Sequence, residues 1–104
     1  MSYCTVDKVK QVLHASDASD FDDEIAGCIT SAEGLVDALL QVRGLSVQDP
    51  VPQTVSDACA YYAAWLFRKR RDPAGAETFL TEATCFLNAY IEAVEEPAFT
   101  VGTA

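Results

Sequence analysis

The chain has one histidine, one tryptophan and one methionine, and none of its cysteines form a CxxC pair. A zinc site, a catalytic triad or a redox dithiol needs matched groups of these types, so most metal and acid–base chemistry has few parts to work with. Long apolar runs are missing too. The most apolar stretch, residues 58–67, carries two tyrosines and runs straight into Arg68, Lys69, Arg70 and Arg71, which reads as a buried helix and not as a membrane span. No basic segment followed by an apolar run opens the chain, so the protein is expected to be made and to act inside a cell. Period-two alternation and internal repeats are both lacking, which argues against sheets and solenoids. Beyond Arg71 there is no basic residue at all.

What is present fits one folded domain. The 104 residues are 50% apolar and 22% charged, too hydrophobic for a disordered tail. A chain of this length buries roughly two thirds of its unfolded surface in a single core. The net charge of −9 is unevenly spread. Residues 1–42 hold eight acids and two bases, residues 43–71 two acids and five bases, and residues 72–104 six acids and no base. Such a chain repels phosphate everywhere except at Arg68, Lys69, Arg70 and Arg71.

The spacing of apolar residues predicts four helices, one short and three long. Thr5 is a good N-cap for a first helix over residues 6–14, with Val6, Val9, Val12 and Leu13 at helical spacing. Ser19 or Asp20 can cap a second helix running to about Val42. Its first turn carries Asp22, Asp23 and Glu24, and its apolar face carries Phe21, Ile25, Cys28, Ile29, Ala32, Val36, Leu39 and Leu40. Arg43 and Gly44 end it, and a linker with Pro50 and Pro52 leads to a third helix. Val55, Ala58, Cys59, Tyr62, Ala63, Leu66 and Phe67 lie on one side of that helix, with Tyr61 and Trp65 on a neighbouring face. After a turn over residues 72–75, a fourth helix presents Phe79, Leu80, Ala83, Phe86, Leu87, Tyr90 and Ile91, and Pro97 is expected to end it.

The fold class is therefore all-α, a small antiparallel bundle. The expected core is Val9, Ile25, Ile29, Val36, Leu39, Val55, Cys59, Tyr62, Leu66, Phe79, Leu80, Phe86, Leu87 and Tyr90. Residues 1–96 make the helical domain, and residues 97–104 a tail that is flexible or docked on a partner.

Several residues invite a chemical reading beside a structural one. His14 ends the first helix, where a cation suits the negative pole of the dipole, and catalysis is the alternative. Asp17, Asp20, Asp22, Asp23 and Glu24 resemble a cation-binding loop, but they lack the glycine and spacing of an EF-hand, and capping explains most of them. Cys28, Cys59 and Cys85 fall on apolar faces and read as small hydrophobes, ahead of disulfides or metal. The basic cluster has three readings: dipole compensation, an interface with an acidic protein, or a nucleic-acid contact with Trp65 beside it. The acidic first and last segments could also meet the basic turn of the next copy, a contact that repeats head to tail.

Four stretches together, MSYCTVDKVKQVL, DASDFDDEI, PVPQTVSDACAYYAAWLFRKRRDP and GAETFLTEATCFLNAYI, resemble the head-tail connector (adaptor) proteins of tailed bacteriophages over about residues 1–95. The most regular part is Pro52, Val55, the basic end Arg68, Lys69, Arg70 and Arg71, then Asp72 and Pro73. The acidic C-terminal part and short tail depart from that pattern. The resemblance implies a virion structural protein of the neck, between capsid and tail, assembled in the host cytoplasm. It implies a ring, usually of twelve copies, that sits below the portal protein, extends the DNA channel and offers a docking surface to the stopper or tail. It implies no enzymatic activity, no cofactor, no metal, no membrane, and DNA passing without specific binding. Candidate subunit or portal contacts are Arg68, Lys69, Arg70, Arg71, Trp65, Phe99 and Val101. A small helical DNA-binding regulator using the basic turn is the alternative.

Overall fold

In the computed structural model residues 3–14 and 20–103 are described, with side chains described through Val94, and all regular structure among them is helical. The chain order is α1 (Val6–Val12), α2 (Asp22–Gln41), α3 (Gln53–Lys69) and α4 (Pro73–Thr103).

Local chemistry sets the ends of these helices. Thr5 caps α1, its hydroxyl accepting from the Lys8 N–H at 3.2 Å. The helix closes earlier than residue 14, because His14 turns to a positive φ of 58°. At the other end of the connection, the expected capping by Ser19 or Asp20 is not what starts α2. Ser19 lies outside the described residues, and the N-cap is Phe21 with no side-chain cap bond. Asp22, Asp23 and Glu24 occupy the first turn as expected. The end of α2 is a Schellman motif: Leu45 N–H bonds Leu40 C=O and Gly44 N–H bonds Gln41 C=O, both at 2.9 Å. Gly44 makes this possible by adopting φ of 72° without a Cβ penalty.

Helix α4 starts three residues before the expected position, because Asp72 and Pro73 are a cap and a first helical residue rather than a turn. The Asp72 carboxylate accepts from Gly75 N–H at 3.2 Å, and Ala76 N–H bonds its carbonyl. A Cβ at Gly75 would run into that carboxylate. The helix also runs past Pro97, where it was expected to stop. Proline removes one i→i−4 bond but holds φ in the helical range, so it weakens a helix without forbidding continuation.

Helix α3 lies at the centre. It packs most extensively on α4, then on α2, then on α1, while α2 and α4 scarcely touch. Val55, Ala58, Cys59, Ala60, Tyr62, Ala63, Ala64 and Phe67 are buried around it, and the alanines let neighbouring helices approach closely. From α2 the buried stripe is Ile25, Ile29, Ala32, Val36 and Leu40. Of the expected core, Val9, Ile25, Ile29, Val36, Val55, Cys59, Tyr62, Leu87 and Tyr90 are buried, and Leu66, Phe79, Leu80 and Phe86 are half-buried at its margin.

Leu39 is a correction, at 38% exposed. Steps of three and four admit both Leu39 and Leu40 from Val36, but the stripe that faces α3 continues through Leu40. The cysteines need a second correction: Cys4, Cys28 and Cys59 are buried and Cys85 is exposed, all four as free thiols. The thiol contact with Cys4, together with burial, pushes the Cys59 pKa up, so it stays a protonated packing group.

Two tyrosines tie irregular segments to the helices. Buried Tyr90 donates to Ser46 C=O at 2.8 Å and accepts from Gln48 N–H at 3.3 Å, fixing the α2–α3 linker against α4. Tyr3 donates its hydroxyl to Asp37, and its N–H donates to Glu33 at 2.8 Å, strapping the segment before α1 along α2. That Asp37 bond, with desolvation adding to it, raises the Tyr3 pKa from 10.0 to about 12.

Leu40→Ala removes a fully buried side chain and should cost about 3 kcal/mol of unfolding free energy, whereas Leu39→Ala should cost less than about 1 kcal/mol. Urea denaturation of the two variants measures this, and equal losses would reject the assigned stripe. Because the folded Tyr3 pKa is raised, its contribution is complete below the unfolded value and is lost as pH rises from about 10 to about 12. Tyr3→Phe should therefore be less stable than the wild type at neutral pH, with the gap narrowing through that window.

Candidate interaction surface

The strongest cluster of charge and aromatic side chains lies where α3 ends. Its last turn carries Arg68 and Lys69, with Arg70 as C-cap, so four consecutive cations meet the negative pole of the helix. They do not form one patch. A helical advance of about 100° per residue sends consecutive side chains to different neighbours, and the four divide into two pairs with different partners.

Arg70 and Arg71 turn to α2. Arg71 makes a forked contact with Glu24, Nη2 to Oε1 at 2.9 Å and Nη1 to Oε2 at 3.0 Å, and also donates to Phe67 C=O at 3.0 Å. Arg70 reaches the same carboxylate at 3.5 Å. The Arg71 guanidinium lies 4.0 Å from the Phe67 ring centre and 4.9 Å from that of Phe21, and these two rings meet edge to face at 5.5 Å. Arg71 thus closes the start of α2 onto the end of α3. The Arg71 hydrogen bonds hold the Glu24 carboxyl below its usual pKa. Of the sequence candidates for an external contact, these two are held within the chain.

Arg68 and Lys69 lie over half-buried aromatics of α3 and α4, and Arg68 also borders the space beside Arg71. Lys69 Nζ sits 4.4 Å above the Trp65 ring, and the Arg68 guanidinium 5.8 Å from the Phe79 ring. Tyr61 joins Phe79 at 6.3 Å and Phe86 at 5.4 Å. Among the described residues no carboxylate lies within salt-bridge distance of Arg68 or Lys69. Trp65 is half-buried, so one part of its ring packs while the rest borders solvent. Phe99 and Val101 belong to the last turns of α4, and their side chains lie outside the described part.

The acids at the start of α2 serve as ion-pair partners. Asp22 receives the nearly buried Lys10 ammonium at 3.1 Å, and Glu24 receives the two arginines. Asp17 lies outside the described residues, and among those described no three His, Cys, Asp or Glu side chains converge as a metal site. His14 is exposed. No described helix is long and apolar enough to cross a membrane.

Sequence reasoning placed Phe21 on the apolar face of α2 and Glu24 in its acidic first turn, but did not join either to the basic cluster. Their contacts span 47 residues or close a tertiary ring pair, and no local spacing announces such partners. No family model, curated protein or solved structure matches the chain.

The Glu24 pKa is depressed in the folded state, so its contribution is present above the unfolded value and lost as pH falls through the folded one. Glu24→Gln should lower the denaturation midpoint at neutral pH, and the gap to wild type should close below about pH 4. A gap of constant size across that range would exclude the ion pair as its source.

Proposed function

We propose that the chain is a structural subunit of a head-tail connector of a tailed bacteriophage. It assembles as a ring below the portal protein, extends the DNA channel and offers a docking surface to the stopper or tail. The observation that carries this reading is the surface of Trp65, Lys69, Arg68 and Phe79. Two cations lie there on half-exposed rings without an acidic partner among the described residues, on a chain whose net charge is −9. Aromatic rings and arginine are the side chains that concentrate binding energy at protein interfaces. The acidic balance supports the same reading, since an acidic channel wall repels the phosphate backbone and leaves DNA free to slide.

A DNA-binding regulator would use the basic turn as one patch. Arg70 and Arg71 are engaged by Glu24, which leaves two cations for phosphates and weakens that alternative.

Mass measurement of the purified chain, alone and with a cognate portal, tests the proposal. The expected result is a multi-copy ring on the portal, and a stable monomer in both samples would overturn it. Duplex DNA should show no binding even at low salt. Binding that falls steeply with added salt would favour the regulator.

A further inference from the structure

Beside the Arg71 clamp lies a cavity of about 300 Å³, lined by Lys10, Leu13, Phe21, Ile25, Phe67, Arg68 and Arg71. Its floor is apolar. Leu13, Ile25 and Phe67 are buried, and Phe21 is 42% exposed, one of the few large apolar side chains left open to water. Three cations border it, and among the described residues no acid lines it. Lys10 is held by Asp22 and Arg71 by Glu24, and exposed Asp20 precedes Phe21, so Arg68 is the bordering cation left without a carboxylate among the described residues. Such a site takes an apolar side chain flanked by carboxylates.

The chain carries a segment of that chemistry at its other end. Glu92, Glu95, Glu96, Phe99 and Val101 lie in a stretch without bases. Helix α4 starts beside the end of α3, and Tyr90 is bonded to the linker that precedes α3. Ile91 and Val94 still pack on the core, so the nine residues of α4 after Val94, about 14 Å of helix, make the overhang. Cavity and acidic segment sit toward opposite ends of a molecule whose longest extent is 54 Å. One chain cannot bring the two together.

We propose that the cavity bordered by Arg68 and Arg71 receives the acidic, phenylalanine-bearing end of α4 from a second copy. Such a contact joins different surfaces of successive copies, so it repeats head to tail and closes into a ring where the rotation permits. It deepens the assembly reading above by naming what passes between neighbours.

Sedimentation of the full chain at low salt, from micromolar to millimolar concentration, tests this. The wild type should associate with rising concentration. Arg68→Glu, and separately a tail variant with Glu95→Lys, Glu96→Lys and Phe99→Ser, should each weaken association about tenfold or more while keeping wild-type circular dichroism. Phe21→Ser replaces the first variant if that one fails to fold. Arg68→Glu retains its tail and the tail variant retains its cavity, so a mixture should form one-to-one pairs that do not grow. A wild type that stays monomeric, variants that associate as it does, or a mixture without pairs would each overturn the proposal. Portal-bound rings formed equally well by both variants would sink the contact and leave the connector reading standing. Head-to-tail pairing without portal binding would do the reverse.

Discussion

Helix α3 has no polar face along its middle, and that constraint organises the molecule. Ala58, Cys59, Ala60, Ala63 and Ala64 are all fully buried, so side chains pointing in several directions must be removed from water. One partner helix cannot do that. Helix α4 covers one side, α2 another, and α1 with the Tyr3 segment closes part of the remainder. A helix of seven residues such as α1 is not stable alone in water, so it exists because Val9 and Leu13 complete the cover. The linkage is reciprocal, since α3 is too short of polar residues to remain solvated without its neighbours.

Where this cover ends, the basic cluster begins. The last turn of α3 emerges between the start of α2 and the start of α4, and its cations serve each side differently. Toward α2, Glu24 acts twice: it suits the positive pole of its own helix and it anchors Arg71 between two phenylalanines. Toward α4, Arg68 and Lys69 find rings in place of carboxylates. A guanidinium or ammonium on a ring face keeps much of its charge available to an incoming anion. The same four-residue run thus ties α2 to α3 with one pair and rests the other pair on rings.

The elements themselves were legible because periodicity and end signals agreed. Thr5, Gly44 and Pro52 mark helix boundaries by chemistry that acts over four or five residues, and the buried stripe of α2 follows from spacing alone. What was not legible depends on tertiary choice. Leu39 and Leu40 satisfy the same spacing, and only the position of α3 decides between them. Cys4 gives no periodic signal, yet it is buried because Tyr3 is tied to Glu33 and Asp37 on α2. Asp72 and Pro73 read as part of a turn, and the bond from the Gly75 N–H makes Asp72 a cap instead. At the candidate site, the basic run was visible but its division was not, since Glu24 lies 47 residues away in sequence.

Charge limits how copies of this chain can meet. Two molecules of net charge −9 repel, and at physiological salt that repulsion is screened beyond about 8 Å. A contact between like surfaces would set acid against acid over most of the molecule, because bases are concentrated in residues 43–71. Association is favoured where the end of α3 faces the base-free segment of another copy, and such a pairing joins two different surfaces. A contact of that type leaves one donor and one acceptor open on every pair, so it would add copies and close into a ring only where the rotation permits. The uneven distribution of charge and the placement of α4's overhang away from the basic end therefore lead to the same geometry from independent starting points.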